Sequence, residues 1–300
     1  MSLVSLAKIQ KASRVAMRQA ISESLDLINY TWKENIRKIA IKANLCYYWD
    51  YSTGQTTDPT FVAALTDLLR EKIAHDIEIS IVESDASAME CKYAFTMLGY
   101  TKLAEDSKVK LVNLSEDPCQ TVKIQAGGQS FDVMIPRTIQ EANLKINVPK
   151  IKYAIRGIEL TCALKNIFGC NPYPKKSRYH SRLGPAIVAL NKAMKFDLCI
   201  IDGNIVSGIG SRKLGLVMAS TDPVAIDAAA AKIAGLNPRR IGYIQLACKE
   251  GLGTASYVSR GVGLDCFKAS YPKKDFRKKL MGRAYTLAVQ TGLARRLGLG

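Results

Sequence analysis

The chain is poor in histidine: two in 300 residues, His75 and His180. That count excludes a histidine-rich metal centre. Long apolar runs are missing too, and none approaches the roughly 20 residues needed to span a bilayer. The first twenty residues carry Lys8, Lys11, Arg14 and Arg18 through a mixed, amphipathic stretch. They lack the unbroken apolar centre of a secretory signal, so the expected location is cytoplasmic. Of the eight cysteines, no two form a C-x-x-C pair. This argues against a structural zinc or iron–sulfur site and for reduced, mostly buried thiols.

What is present fits a folded domain. Hydrophobic residues make up 48% and charged residues 23%, which excludes bulk disorder. Net charge is +17, and residues 268–300 hold nine Lys/Arg against one Asp. Nearly half the excess thus sits in a tenth of the chain. Phe276, Leu280, Ala284 and Leu287 follow helical spacing there, giving a basic amphipathic helix over 273–297. It docks on the body of the protein or contacts an anionic membrane surface or a protein partner. Nucleic acid is the least favoured partner, because no stacking pattern or nucleic-acid motif accompanies the charge.

Apolar runs at 36–41, 77–82, 109–112, 144–148, 196–201 and 214–219 read as strands. Helical stretches at 58–70, 87–98, 158–167, 185–194, 222–234 and 239–249 alternate with them. The fold class is therefore α/β, mainly parallel sheet covered by helices. Two helices open on Thr-Asp-Pro, at Thr57–Pro59 and Thr221–Pro223: Asp as cap, Pro in the first turn. Gly127-Gly128 between residues 121–126 and 129–134 marks a β-hairpin. The organisation expected is an α/β lobe over 1–150, a second over 151–267 carrying the lysine and aspartate motifs, and a basic tail over 268–300.

Chemistry concentrates between Pro149 and Gly169. Lys150 and Lys152 lie two apart on an extended segment, so both face one side, just past a strand's carboxyl end. Lys165 sits in an apolar stretch, where a bare ammonium is costly and demands an anionic partner. Arg137 is placed to join them from the preceding loop. Asp202 follows an apolar strand, and Asp227 lies among alanines. Pairing of Asp227 with Lys165 satisfies both; a role toward substrate is the alternative. His180, among Lys175, Lys176, Arg178 and Arg182, is held toward its neutral form, which suits acid–base work. The Ser207–Ser211 glycine loop leads into a strand rather than a helix, so it is not a dinucleotide fingerprint. It remains a loop for close backbone approach to a ligand.

In order along the chain stand Lys42-Ala43-Asn44-Leu45, Thr57-Asp58-Pro59, Ile135-Pro136-Arg137 and Ile146-Asn147-Val148-Pro149-Lys150-Ile151-Lys152. Leu164-Lys165-Asn166-Ile167-Phe168-Gly169, His180, Asp202-Gly203, Ala219 through Asp227 and Gly251-Leu252-Gly253 follow. This ordered set, over about 42–263, resembles the domain of unknown function 362 family. Tyr153 stands where the family commonly has histidine, and Ala43 where proline is usual. The ferredoxin-type cysteines of some members are absent. The family is similar in outline to the lactate racemase type of α/β protein, in which lysines and histidines hold a nucleotide-like cofactor. The resemblance implies a lysine-lined cleft for a small anionic ligand or nucleotide-like cofactor. Lys42, Arg137, Lys150, Lys152, Lys165, Asn166 and Asp202 are its binding candidates, and His180 and Asp227 its catalytic ones. Neither cofactor identity nor oligomeric state follows from the residues. The other reading is a non-enzymatic accessory protein recruited through the basic tail.

Overall fold

Alternation of apolar side chains along each strand decides the architecture. In β10 (Leu198–Ser207), Leu198 and Ile200 enter one apolar core, while Cys199 and Ile201 enter another. The strand is thus buried on both faces, as a central strand of an α/β sheet must be. The computed structural model describes residues 1–73, 76–154 and 158–274, without the side chains of Ser177 and His180. His75 and nearly all of the expected tail helix lie outside the described residues.

From the amino end come β1 (Ser2–Lys8), α1 (Arg14–Leu27), β2 (Lys38–Lys42), α2 (Pro59–Lys72) and β3 (Glu78–Glu83). Then follow α3 (Cys91–Met97), α4 (Tyr100–Ser107) and β4 (Lys110–Asn113). The expected hairpin forms from β5 (Cys119–Ala126) and β6 (Gln129–Pro136), and α5 (Arg137–Glu141) and β7 (Leu144–Asn147) come next. Beyond them lie β8 (Lys152–Tyr153), β9 (Leu160–Thr161), α6 (Ala163–Ile167) and α7 (Leu183–Met194). The chain continues through β10, β11 (Ser211–Ser220), α8 (Pro223–Ile233), α9 (Gly242–Lys249), β12 (Tyr257–Gly261) and α10 (Leu264–Ser270).

Eight strands form one sheet in the order β12-β1-β11-β10-β7-β2-β3-β4. Within it β11 alone runs antiparallel to its neighbours. Residue 150 does not divide this sheet, since strands from both sides of it pair side by side. Helices α1 to α4 pack on one face, and α6 to α9 with the hairpin pack on the other.

Several boundaries differ from the sequence reading. Residues 2–8 form a strand gripped by β11 and β12. The expected helix over 158–167 is a short strand followed by a one-turn helix, α6. The expected strands 196–201 and 214–219 are longer, so β10 and β11 form an extended hairpin and the Ser207–Ser211 glycine loop is its tight tip. The tip is fastened to the segment after residue 270, with Ile209 N donating to the Lys273 carbonyl at 3.0 Å.

Both Asp-Pro starts behave as expected. Asp58 accepts from Thr60 N, and Asp222 from Val224 N and Ala225 N. Asp222 does more, because its other oxygen takes Ser2 Oγ at 2.6 Å and Thr254 N at 2.9 Å. One carboxylate thereby ties β1, α8 and the segment before β12. Asp222→Ala is expected to lower unfolding free energy by about 2–4 kcal/mol, a lost cap plus orphaned donors. Urea denaturation of the variant checks this.

Candidate functional site

The chain leaves β2 toward β3 and β4, then returns through the hairpin to β7 on the other side of β2. A crevice opens at the carboxyl ends of strands where order reverses in this way, the usual ligand position in open α/β sheets. Five lysines gather there: Lys42 ends β2, Lys150 and Lys152 follow β7, Lys165 lies on α6, and Lys176 opens the 3-10 turn Lys176–Arg182.

Two of the five are neutralised inside the protein. Lys42 Nζ pairs with Glu83 at 2.7 Å and donates to the Ala43 carbonyl at 2.5 Å. Glu83, at the end of β3, also accepts from Leu45 N and Ser84 N. Lys150 Nζ pairs with Asp202 at 3.0 Å, and Asp202 accepts from Asp58 N and Asn204 N. All four side chains are at most 4% exposed. Gly169 fits against the first pair so closely that a Cβ there would fall 2.8 Å from Lys42 Nζ.

The other three lysines have no carboxylate partner among the described residues. Lys152, 6% exposed, donates to Asn44 Oδ1 at 2.7 Å and to the Gln55 carbonyl at 2.9 Å. Burial is the main reason its pKa falls, with Lys150 adding to the fall. Lys176 Nζ donates to Ser84 Oγ at 2.5 Å, and burial takes its pKa down to about 8. Lys165 lies over the Phe168 ring at 4.2 Å and makes no hydrogen bond or ion pair among the described residues. Burial first, then repulsion from Lys176, Lys152 and Lys42, lowers it to about 7. Though partly exposed, it is shielded enough for these repulsions to count.

An asparagine chain fixes α6. Asn166 Nδ2 donates to Asn147 Oδ1 at 2.7 Å, and Asn44 Nδ2 donates to Asn166 Oδ1 at 3.0 Å. Asn147 in turn donates to the Ala163 carbonyl. Asn166 is thus consumed in orienting Lys165 and Asn44.

Asp227 does not pair with Lys165. Its oxygens accept from Ala163 N at 2.6 Å, Leu164 N at 3.3 Å and the Tyr243 hydroxyl at 3.2 Å. From inside α8 it caps the start of α6, and burial raises its carboxyl to about 7. Five residues make α6 too short to stand without such a cap.

Arg137 is exposed and opens α5, with its N–H on the Pro118 carbonyl at 2.7 Å. Helix α5 is pinned to the amino end of β2: Lys38 pairs with Glu141 at 2.6 Å, and Asn143 Oδ1 accepts from Arg37 N and Lys38 N. The lysines lie at the opposite end of that strand. The backbone of His180 belongs to the same 3-10 turn as Lys176, and its side chain is outside the described set. Tyr153 points away, its hydroxyl donating to the Ala234 carbonyl at 2.7 Å and its ring edge-on to Tyr271.

Sequence reading missed Glu83 and Lys176. Glu83 closes an apolar strand just as Asp202 follows one, so the same criterion applies to it. Lys176 was read only as one of the charges around His180.

Fold and site together define an α/β protein with a cluster of buried and half-buried lysines at the carboxyl ends of its central strands. The chain belongs to the DUF362 family, a domain of unknown function, which matches residues 39–232. It is 33% identical over 132 residues to the thylakoid-associated protein sll1697 of Synechocystis sp., a match covering 40% of each chain. Among solved structures it is similar to the lactate racemase apoprotein from Thermoanaerobacterium thermosaccharolyticum, with 13% identity and a TM-score of 0.47. That likeness covers 79% of this chain and 58% of the racemase. The chain thus matches less than two thirds of the length of either protein. No helix among the described residues is long and apolar enough to cross a membrane.

Lys165 offers a stability test with a defined sign. Its folded pKa of about 7 lies below the ordinary 10.5, so the folded state disfavours its proton. The penalty is full below about pH 7 and fades as pH rises toward 10.5. Lys165→Met is therefore expected to stabilise the ligand-free protein by about 2–3 kcal/mol near pH 6, after allowance for partial exposure. The gain should shrink as pH climbs. Denaturant melts at the two ends of this range measure it.

Proposed function

We propose that this chain binds a small anionic ligand, a carboxylate or phosphate, between Lys152, Lys165 and Lys176. The supporting observation is three desolvated lysines converging with no carboxylate paired to any of them among the described residues. Desolvating an ammonium costs several kcal/mol unless a counter-charge returns it. A ligand anion is the natural counter-charge, and its charge-assisted hydrogen bonds are of the strong kind.

In this reading the two paired lysines are frame rather than grip. Glu83 and Asp202 hold Lys42 and Lys150 still and keep the strand ends together. Asn166 and Asp227 are positioning residues for α6. Arg137 takes no part. His180, on the turn that carries Lys176, is the candidate general acid/base for any reaction on the bound ligand.

The experiment is calorimetric titration of the full chain with oxalate and, separately, sulfate, neither of which changes charge between about pH 6 and pH 9. Anion binding favours protonated Lys165 and Lys176, which lie near 7 and 8. Affinity should be high at about pH 6 and fall about tenfold or more by about pH 9, with proton uptake on binding near neutrality. Lys165→Met and Lys152→Met should each weaken binding about tenfold at the lower pH. Absence of binding heat for both anions, with an unchanged melting temperature, refutes the anion site. Lys150→Met is the wrong probe, since it strands Asp202 as a buried unpaired charge at about 3–5 kcal/mol.

A further inference from the structure

We propose that Lys165 is a nucleophilic amine that forms an imine with a carbonyl compound carrying a neighbouring carboxylate or phosphate. This rests on the anion site proposed above and names the class of substrate it takes.

The inference starts from what each lysine in the cluster is committed to. Lys42 is spent on Glu83 and the Ala43 carbonyl, and Lys150 on Asp202. Lys152 is held by Asn44 and the Gln55 carbonyl, and Lys176 by Ser84. Lys165 alone of these five has its Nζ unclaimed by any acceptor among the described residues. Its recorded contact is the face of Phe168. Its helix is nonetheless held firmly, by Asp227 at the start and by Asn166 and Asn191 along its length. An uncommitted amine on a well-braced support is what a nucleophile needs.

The surroundings also set its protonation. A lysine becomes nucleophilic near neutral pH when it is desolvated beside other cations, since both disfavour the ammonium. Here burial and three neighbouring lysines act together and bring Lys165 to about 7. About half of the population is then free amine at neutral pH. Two of those neighbours, Lys152 and Lys176, do double duty: charges that deprotonate Lys165 are also the ones that hold a ligand's anionic group beside it. An anion bound there still leaves the carbonyl carbon one or two bonds away for the amine.

The chemistry balances without a co-reactant. The Nζ lone pair attacks the carbonyl carbon, a C–N bond forms, and the carbonyl π electrons move to oxygen. One nitrogen proton passes to that oxygen, giving a neutral carbinolamine. A solvent proton then joins the hydroxyl, the C–O bond breaks, and water leaves. The product is a protonated imine, and the face of Phe168 is placed to stabilise its positive charge.

The test traps the imine on the full chain. Pyruvate and glycolaldehyde phosphate serve as the carboxylate and phosphate arms, acetone as the uncharged control, each with borohydride. Intact mass followed by peptide mapping should show one adduct per chain on Lys165: carbonyl compound plus two hydrogens, less one water. Whichever arm labels more strongly identifies the anionic group. Excess sulfate should suppress labelling, and acetone should give none. Lys165→Arg keeps the charge and removes the nucleophile, so it should retain oxalate binding and lose the adduct. Oxalate binding with no adduct on Lys165 overturns the imine and leaves the anion site standing. Loss of oxalate binding as well overturns both. Adducts spread over exposed lysines and indifferent to sulfate also overturn the imine.

Discussion

Desolvation of ammonium groups is the constraint around which this protein is arranged. Exposed pairs such as Arg14–Asp67 and Lys38–Glu141 are screened by solvent and shape little. Lys42–Glu83 and Lys150–Asp202 are different, because both partners are out of water and breaking either costs about 3–5 kcal/mol. These pairs join β2 to β3, and the segment after β7 to β10. They fasten together the strand ends around the crevice. The same desolvation is left without a paired carboxylate, among the described residues, at Lys152, Lys165 and Lys176.

Much of this was legible from residue order, for identifiable reasons. Asp-Pro pairs at 58–59 and 222–223 announce helices because both residues act locally, one as acceptor and one through its fixed φ. Gly127-Gly128 announces its hairpin likewise, and both glycines have positive φ, 57° and 71°. Lys150 and Lys152 were readable from strand-end position and period two. What escaped is what tertiary pairing decides. Residues 2–8 become a strand only because β11 and β12 flank them. Residues 158–162 look helical by composition, yet Asp227 dictates where α6 begins, from more than sixty residues away. Arg137 misled for the same reason: nothing local reveals that Glu141 and Asn143 bind the far end of β2.

Several of the ordered motifs that mark the family converge in space, whereas Asp222 and Gly251-Leu252-Gly253 meet beside Ser2 at the opposite edge of the sheet. Lys42-Ala43-Asn44, Lys150 through Lys152, Leu164 through Gly169, and Asp202 surround one crevice, with Asp227 behind it. Ile135-Pro136-Arg137 stands apart. The residue that departs from the family's usual histidine, Tyr153, lies on the reverse side of the strand that carries Lys152. There its hydroxyl also reaches the Pro272 carbonyl, at 3.3 Å, and Tyr271 donates to the Ile151 carbonyl at 2.9 Å. Tyr153 therefore backs the strand and stands outside the set of lysines.

The close seat of Gly169 on Lys42 and Glu83 has a consequence for how such a sequence drifts. Any side chain at 169 enters a charged pair that has no room to move, with Glu83 Oε1 only 2.9 Å from the would-be Cβ. Replacing Lys42 or Glu83 alone strands the other charge. Each single step away from this trio is uphill, although a concerted change of all three need not be. Neutral exploration is thereby closed at these positions even though none of them is required to touch a ligand. Their persistence among relatives would record the cost of intermediates as much as any service to chemistry.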